Sequence, residues 1–239
     1  MLHRLWELSE LHFQPGQLQH YETLFTIGNG YLGARGAFEE GYEGDNPATL
    51  VHGVYDHAPN TLVPELVNAP NWLPIHIRID GTPFKMIMSA EDILRPPQGV
   101  VLGYNRTLHL DRAVLRREVL FRAASGSVVR LVFERFASLA DTHVMAQRVQ
   151  IVAVDGNPTV EIESAIEGDV SNKGTRHWSP NPQVIADADG IGLEVTTEQS
   201  GYVLGVASRL VSPEATRSSA VGARHCFPFA LQLARWPFG

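Results

Sequence analysis

The run Val114-Leu-Arg-Arg-Glu-Val-Leu-Phe-Arg122, then Ala124-Ser-Gly-Ser127, then Val128-Val-Arg-Leu-Val-Phe-Glu-Arg-Phe136, reads as strand, turn and returning strand. Alternation of this kind puts every second side chain on the same sheet face. It recurs outward in both directions. Upstream, Ile75, Ile77 and Ile79 alternate with His76, Arg78 and Asp80. Asp80-Gly81 then supplies a hairpin turn, because glycine tolerates the positive φ such turns need, and Phe84-Lys-Met-Ile-Met88 is the next run. Downstream, Val144–Val154 leads into the turn Asp155-Gly-Asn-Pro158. Val160, Ile162, Ser164 and Ile166 then share one face, opposite Glu161, Glu163 and Glu167, which read as solvated rather than catalytic carboxylates. Ile191–Thr197 and Tyr202–Ala207 complete the strands. No segment holds a 3.6-residue period over three turns, and there is no internal repeat. Short, regularly spaced strands with glycine and proline between them predict an all-β fold, a large antiparallel β-sandwich.

Composition narrows the function. A formal charge of −7, with no basic run longer than Arg116-Arg117, argues against nucleic acid, whose phosphates demand clustered lysine and arginine. No stretch reaches the ~18–20 apolar residues of a membrane span, and the acidic residues near the N-terminus do not fit a signal peptide. Cys226 is the only cysteine, so an internal disulfide and a cysteine-rich zinc site are excluded. The expected location is the cytoplasm.

Gly28-Asn-Gly-Tyr-Leu-Gly33 satisfies the G-x-G-x-x-G spacing and comes after a strand-like run, Thr23–Ile27. Dinucleotide binding requires a helix immediately after those glycines, with its N-terminus on the pyrophosphate. Gly36 and Gly41 stand where that helix would be, so the glycines are expected to make tight turns or admit a closely packed backbone, and no cofactor is expected.

The longer string carries more. Glu22-Thr-Leu-Phe-Thr-Ile-Gly-Asn-Gly-Tyr-Leu-Gly-Ala-Arg-Gly36 and Glu39-Glu-Gly-Tyr42 resemble the opening signature of glycoside hydrolase family 65. Further blocks come in the family's order: His52-Gly-Val-Tyr55, Glu65-Leu-Val-Asn-Ala-Pro-Asn-Trp-Leu73, Ile79-Asp-Gly81, Leu110–Leu115 and Glu134–His143. The resemblance covers roughly residues 10 to 205. It implies an N-terminal β-sandwich of the super-sandwich type, similar to that of galactose mutarotase. In the family this domain precedes an (α/α)6 barrel, whose glutamic acid protonates the leaving group of an α-linked glucose disaccharide. Inorganic phosphate (phosphorylases) or water (hydrolases) then attacks the anomeric carbon. No carboxylate here matches that acid, so no catalytic residue is carried over. The resemblance further implies a barrel partner and admits a homodimer.

Residues 1–210 are therefore expected to form the family 65 sandwich, and 211–239 an atypical C-terminal segment. Ala215–Gly239 holds no acidic residue and three arginines, a break that reads either as a strand pair with a polar turn or as sequence foreign to the domain, left by truncation or a shifted reading frame near 205–215. Five residues are candidates for a substrate cleft or interdomain face. Asn29, Tyr31 and Arg35 lie in the signature loop, where a guanidinium can bind a carboxylate or phosphate bidentately. Trp72 and Trp178 sit beside expected loops; indoles stack on sugars, although core packing is the commoner use. Trp178 falls in a polar stretch, Lys173–Pro180, that reads as an exposed loop. His52, Asp56 and His57 are the tightest group of metal-ligand types, but their spacing matches no zinc pattern and no metal is expected. The leading expectation is a family 65 accessory domain, inert alone. A free-standing carbohydrate-binding module is the alternative, and a mutarotase-like epimerase a third.

Overall fold

The computed structural model describes residues 6–87, 91, 94, 98–186 and 190–211, together with the backbone of 216–224 and 227–237. In chain order the elements begin with β1 (Glu7–Glu10), α1 (Leu18–Leu24), β2 (Ile27–Gly28), β3 (Leu32–Ala34), β4 (Thr49–His57) and β5 (Pro64–Asn68). Next are β6 (Ile75–Ile79), β7 (Thr82–Pro83), β8 (Val100–His109), β9 (Val114–Arg122), β10 (Val128–Ala137) and β11 (Met145–Asp155). The last are β12 (Thr159–Glu167), β13 (Gln183–Ala186), β14 (Ile191–Thr196), β15 (Val203–Ser208), β16 (Thr216–Arg224) and β17 (Phe227–Pro237). The fold is all-β, and its strand pairs are antiparallel, as the alternation predicted. It is of the sandwich class.

The chain divides into two compact units. The first comprises Met1–Pro47, Ile77–Val160 and Pro237–Gly239; the second comprises Ala48–His76 and Glu161–Trp236. In the first, β1, β8, β9, β10 and β11 form a sheet in that order. Along β9, Leu115, Arg117, Val119 and Phe121 are buried while Arg116, Glu118 and Leu120 are less so. β10 repeats this with Val129, Leu131, Phe133 and Arg135. Phe84 packs edge-on against Phe121, with ring centroids 5.3 Å apart, and stacks on Phe133 at 5.9 Å. Asp80 and Gly81 both take positive φ, 49° and 75°, and turn β6 into β7. The Asp80 carboxylate then accepts hydrogen bonds from Ser125 Oγ (2.6 Å), Ser127 Oγ (2.8 Å) and the Thr159 amide (2.8 Å), tying three turns together.

In the second unit β13, β14 and β15 form a sheet in that order. β4 pairs with β5 and β16 with β17. Its core is Val67, Ile166, Trp178, Ile191, Leu193 and Val195.

Several expectations need correction. Thr23 and Leu24 belong to α1, not to a strand; only Ile27 of the run lies in a strand, at the start of β2. The seven-residue helix is too short for a periodicity test to reveal. The arm after the Asp80-Gly81 turn is two residues, Thr82–Pro83, and the described part of Phe84–Met88 is not strand. Glu161, Glu163 and Glu167 are half-buried rather than solvated. Cys226 and the side chains of Ala215–Gly239 lie outside the described residues.

Candidate functional site

The signature string begins in α1. The Phe25 amide donates to the Tyr21 carbonyl at 2.9 Å as the helix ends, and β2 and β3 then form a tight hairpin. Asn29 makes the turn: its Oδ1 accepts from the Tyr31 amide (3.1 Å) and the Leu32 amide (3.0 Å), while Gly30 supplies φ of +89°. Its Nδ2 donates to the Ser138 carbonyl (2.6 Å) and the Thr142 carbonyl (3.0 Å). Tyr31 packs on the His143 ring at 4.4 Å. The glycines lead into strand β3, so extended chain stands where a pyrophosphate cradle requires a helix N-terminus.

Arg35 faces the chain's own carboxylate. Its Nη2 donates to Glu22 Oε2 (3.2 Å) and to the Gln19 carbonyl (3.1 Å), and the Tyr42 hydroxyl donates to Glu22 Oε1 at 2.5 Å. Burial, and then the bond to the Glu22 carboxylate, push the Tyr42 phenol well above its ordinary range, so it stays a donor.

Beyond Gly36 the loop rests on three buried arginines from neighbouring strands of the first unit. Arg106 (β8) donates to the Gly36 carbonyl, and Arg135 (β10) to the Ala37 carbonyl at 2.5 Å. Arg117 (β9) donates to Glu40 Oε1 (2.8 Å) and Glu39 Oε2 (2.6 Å). Arg106 and Arg117 stand directly opposite each other across β8 and β9, a like-charge pairing that costs stability on its own. Glu39 and Glu40 offset it, as does the Phe38 ring, 5.0 Å from the Arg106 guanidinium carbon and 4.3 Å from that of Arg117. Burial would lower the Arg117 pKa, but Glu40 and Glu39 outweigh it and raise it. Burial would likewise raise Glu39, yet Arg117 and Arg135 hold it below the usual carboxylate range. Arg135, whose hydrogen bond goes to a carbonyl, is pulled down by burial to about 10 and remains a cation at neutral pH. Gly36 is obligatory for this approach: a Cβ there would lie 2.6 Å from Phe25 Cβ and 2.8 Å from Arg106 Nη2.

The two tryptophans lie in the second unit. Trp72 is half-buried. Trp178 is buried in the core and its Nε1 donates to the Asn68 carbonyl at 2.7 Å, so the exposed-loop reading of Lys173–Pro180 fails at its centre. The residue before it, His177, was not anticipated. It is 1% exposed, with Nδ1 3.2 Å from Asp56 Oδ2 and Nε2 3.0 Å from Glu65 Oε1. Burial alone would raise Asp56, but the Ser200 amide at 2.8 Å and His177 hold it below its ordinary value. Asp56 thus leaves the supposed His52–His57 group: His52 is exposed and His57 Nδ1 lies 3.3 Å from the Ala58 carbonyl. Among the described residues no three His, Cys, Asp or Glu are grouped to hold a metal.

Asn29, Tyr31 and Arg35 therefore share one segment in the first unit, while Trp72 and Trp178 belong to the second. Sequence reasoning missed the three arginines and His177. The arginines left a signal: Arg117 and Arg135 occupy the apolar phase of their strands.

The fold and the site together define an all-β domain whose signature loop is held by buried arginines of its own strands. The chain belongs to glycosyl hydrolase family 65: the family's N-terminal domain model matches residues 8–233. It is 32% identical over 204 residues to kojibiose phosphorylase of Halothermothrix orenii, covering 85% of this chain and 25% of that protein. Against α,α-trehalose phosphorylase of Geobacillus stearothermophilus the identity is 29% over 212 residues, covering 82% and 28%. A solved structure from the human microbiome, assigned by name to the kojibiose phosphorylases, superposes with a TM-score of 0.75 at 16% identity. That match covers 97% of this chain and 32% of the other. The chain spans about a quarter of the length of these curated relatives. Among the described residues no helix is long and apolar enough to cross a membrane.

Proposed function

We propose that this chain is the accessory β-domain of a cytoplasmic family 65 phosphorylase acting on an α-linked glucose disaccharide, and that it contributes scaffold rather than chemistry. The observation that carries this reading is the fate of its signature carboxylates. Glu22, Glu39 and Glu40 are all buried and bound to Arg35 or Arg117 of the same chain, so none is presented to a sugar. An inverting phosphorylase needs a single protein acid because its nucleophile, inorganic phosphate, arrives already ionised. In this reading the acid belongs to a partner barrel domain, and the assembly is a homodimer. The segment bearing Asn29, Tyr31 and Arg35 faces that domain and orders it; Trp178 is a core residue of the second unit.

Two measurements test the proposal. The purified chain, given kojibiose, trehalose or maltose with phosphate, should release no glucose 1-phosphate; turnover at an enzymatic rate, about 1 per second or faster, overturns it. The chain grafted in place of the matching N-terminal segment of the Halothermothrix orenii enzyme should retain phosphorolysis. Arg35→Ala in that chimera should lower kcat, and unchanged kinetics would remove Arg35 from the interdomain role.

A further inference from the structure

We propose that Asn29 is a modification site: its side chain closes on the Gly30 nitrogen and converts to aspartate and isoaspartate, which unfastens the β2–β3 hairpin from the β10–β11 loop. Asn29-Gly30 is the one Asn-Gly pair in the sequence. Glycine has no Cβ to shield the attacking nitrogen, and Gly30 is exposed, as are Leu139–Asp141 of the facing loop.

The contacts of the carboxamide act in opposite directions. Its oxygen, where negative charge gathers during the attack, already faces two backbone N–H groups, those of Tyr31 (3.1 Å) and Leu32 (3.0 Å). Its nitrogen, which must leave, is held by the Ser138 carbonyl at 2.6 Å and the Thr142 carbonyl at 3.0 Å. Two donors on one side and two acceptors on the other fix which way the amide points. The loop therefore guards a turn that is otherwise set for the reaction. Conversion proceeds from the state in which residues 138–142 have lifted away while the Asn29 turn is intact.

Water is the only co-reactant. The Gly30 N–H gives its proton to solvent, the nitrogen bonds to Cγ, and the Cγ–Nδ2 bond breaks with ammonia as the leaving group. Water then opens the cyclic imide. Attack at one carbonyl gives aspartate; attack at the other gives isoaspartate, whose main chain runs through the side chain. Both products put a carboxylate where Nδ2 donated. A carboxylate only accepts, so it repels the two loop carbonyls instead of binding them. The packing of Tyr31 on the His143 ring is then left to hold the loop without those bonds.

Peptide mass mapping of the purified chain, aged for weeks in mildly alkaline buffer, tests the site. The Asn29 peptide should exchange NH for O in mass and split into two isomers. Asp141 orders the loop, its carboxylate accepting from the His143 amide at 3.1 Å. Asp141→Ala should speed the conversion about fivefold, the population change expected for one lost hydrogen bond. Asn29→Asp supplies the product carboxylate directly. In it the Ser138 and Val144 amides, which donate to the Val144 and Asp141 carbonyls, should exchange hydrogen about fivefold faster. Should that variant fail to fold, the aged natural chain, separated by ion exchange, serves for the same measurement. An Asn29 that stays intact in the folded chain while the urea-unfolded chain converts overturns the proposal. So does an unchanged rate in Asp141→Ala, or unchanged loop exchange once the carboxylate is in place.

Discussion

The interiors of the two units are built on different principles. In the first, Arg106, Arg117 and Arg135 are buried among Phe25, Phe38, Phe84 and Phe133, and a loop is fixed by where its carbonyls and carboxylates meet guanidinium groups. In the second, the core cluster is aliphatic around one indole, with polar side chains such as Asn68 and His177 serving to tie segments together. Buried ion pairs contribute little net stability but are severely disrupted when one partner is lost. Apolar cores respond in proportion to volume. The first unit should therefore fail abruptly at a few positions, and the second by degrees.

Arg117→Met is the strongest attempt to break that contrast. It strands Glu40 in the interior and leaves Glu39 only Arg135, at 3.7 Å, and urea unfolding should show a loss of about 3–5 kcal/mol. Adding Glu39→Gln and Glu40→Gln should recover part of it, because a neutral amide costs less to bury than an unpaired carboxylate. Gly36→Ala comes next. The new methyl meets Phe25 and Arg106 where the loop backbone is held against the strands, and overpacking of this kind costs about 1–3 kcal/mol. In the second unit, Trp178→Phe keeps most of the ring's volume but removes the donor to the Asn68 carbonyl. A loss of about 1–2 kcal/mol is expected in the same unfolding measurement; a loss as large as that of Arg117→Met would erase the distinction between the two interiors.

The same contrast governs what could be read from the sequence. Strands β9 and β10 were legible nearly to the residue, since their apolar phase is long and their turn is polar. The Asp80-Gly81 turn was legible because its backbone demands a left-handed pair. α1 was not, since seven residues give two turns and its two buried side chains, Leu18 and Glu22, include a charged one. Arg117 and Arg135 were passed over because an arginine in an apolar phase looks like a pattern error until its partners, 77 and 98 residues away in sequence, are known. His177 was hidden by its neighbours: Lys173, Gly174, Thr175 and Arg176 are polar, and nothing local shows that the chain turns inward at the next residue. Local pattern reports phase and turn; it does not report which buried polar groups find each other across the chain.

The other face of the first unit's sheet offers the finest test. There Arg116, Glu118, Arg130, Glu134 and Arg148 form a ladder of ion pairs: Arg116–Glu134 at 2.9 Å, Arg116–Glu118 at 3.1 Å and Arg130–Glu118 at 3.7 Å, with Arg148 Nε donating to Glu134 at 3.0 Å. The residue types match those of the interior, and Arg116 adjoins Arg117 in the chain. Only the strand phase differs, so solvent screens one set and not the other. Arg130→Ala should change stability by no more than about 0.5 kcal/mol, the range of exposed pairs, and the change should vanish in about 1 M salt, where the screening length falls to about 3 Å. Arg117→Met should keep nearly all of its effect under the same salt. A salt-insensitive loss at Arg130 would mean that this face, too, is shielded from solvent, and that the alternation along β9 and β10 does not divide inside from outside.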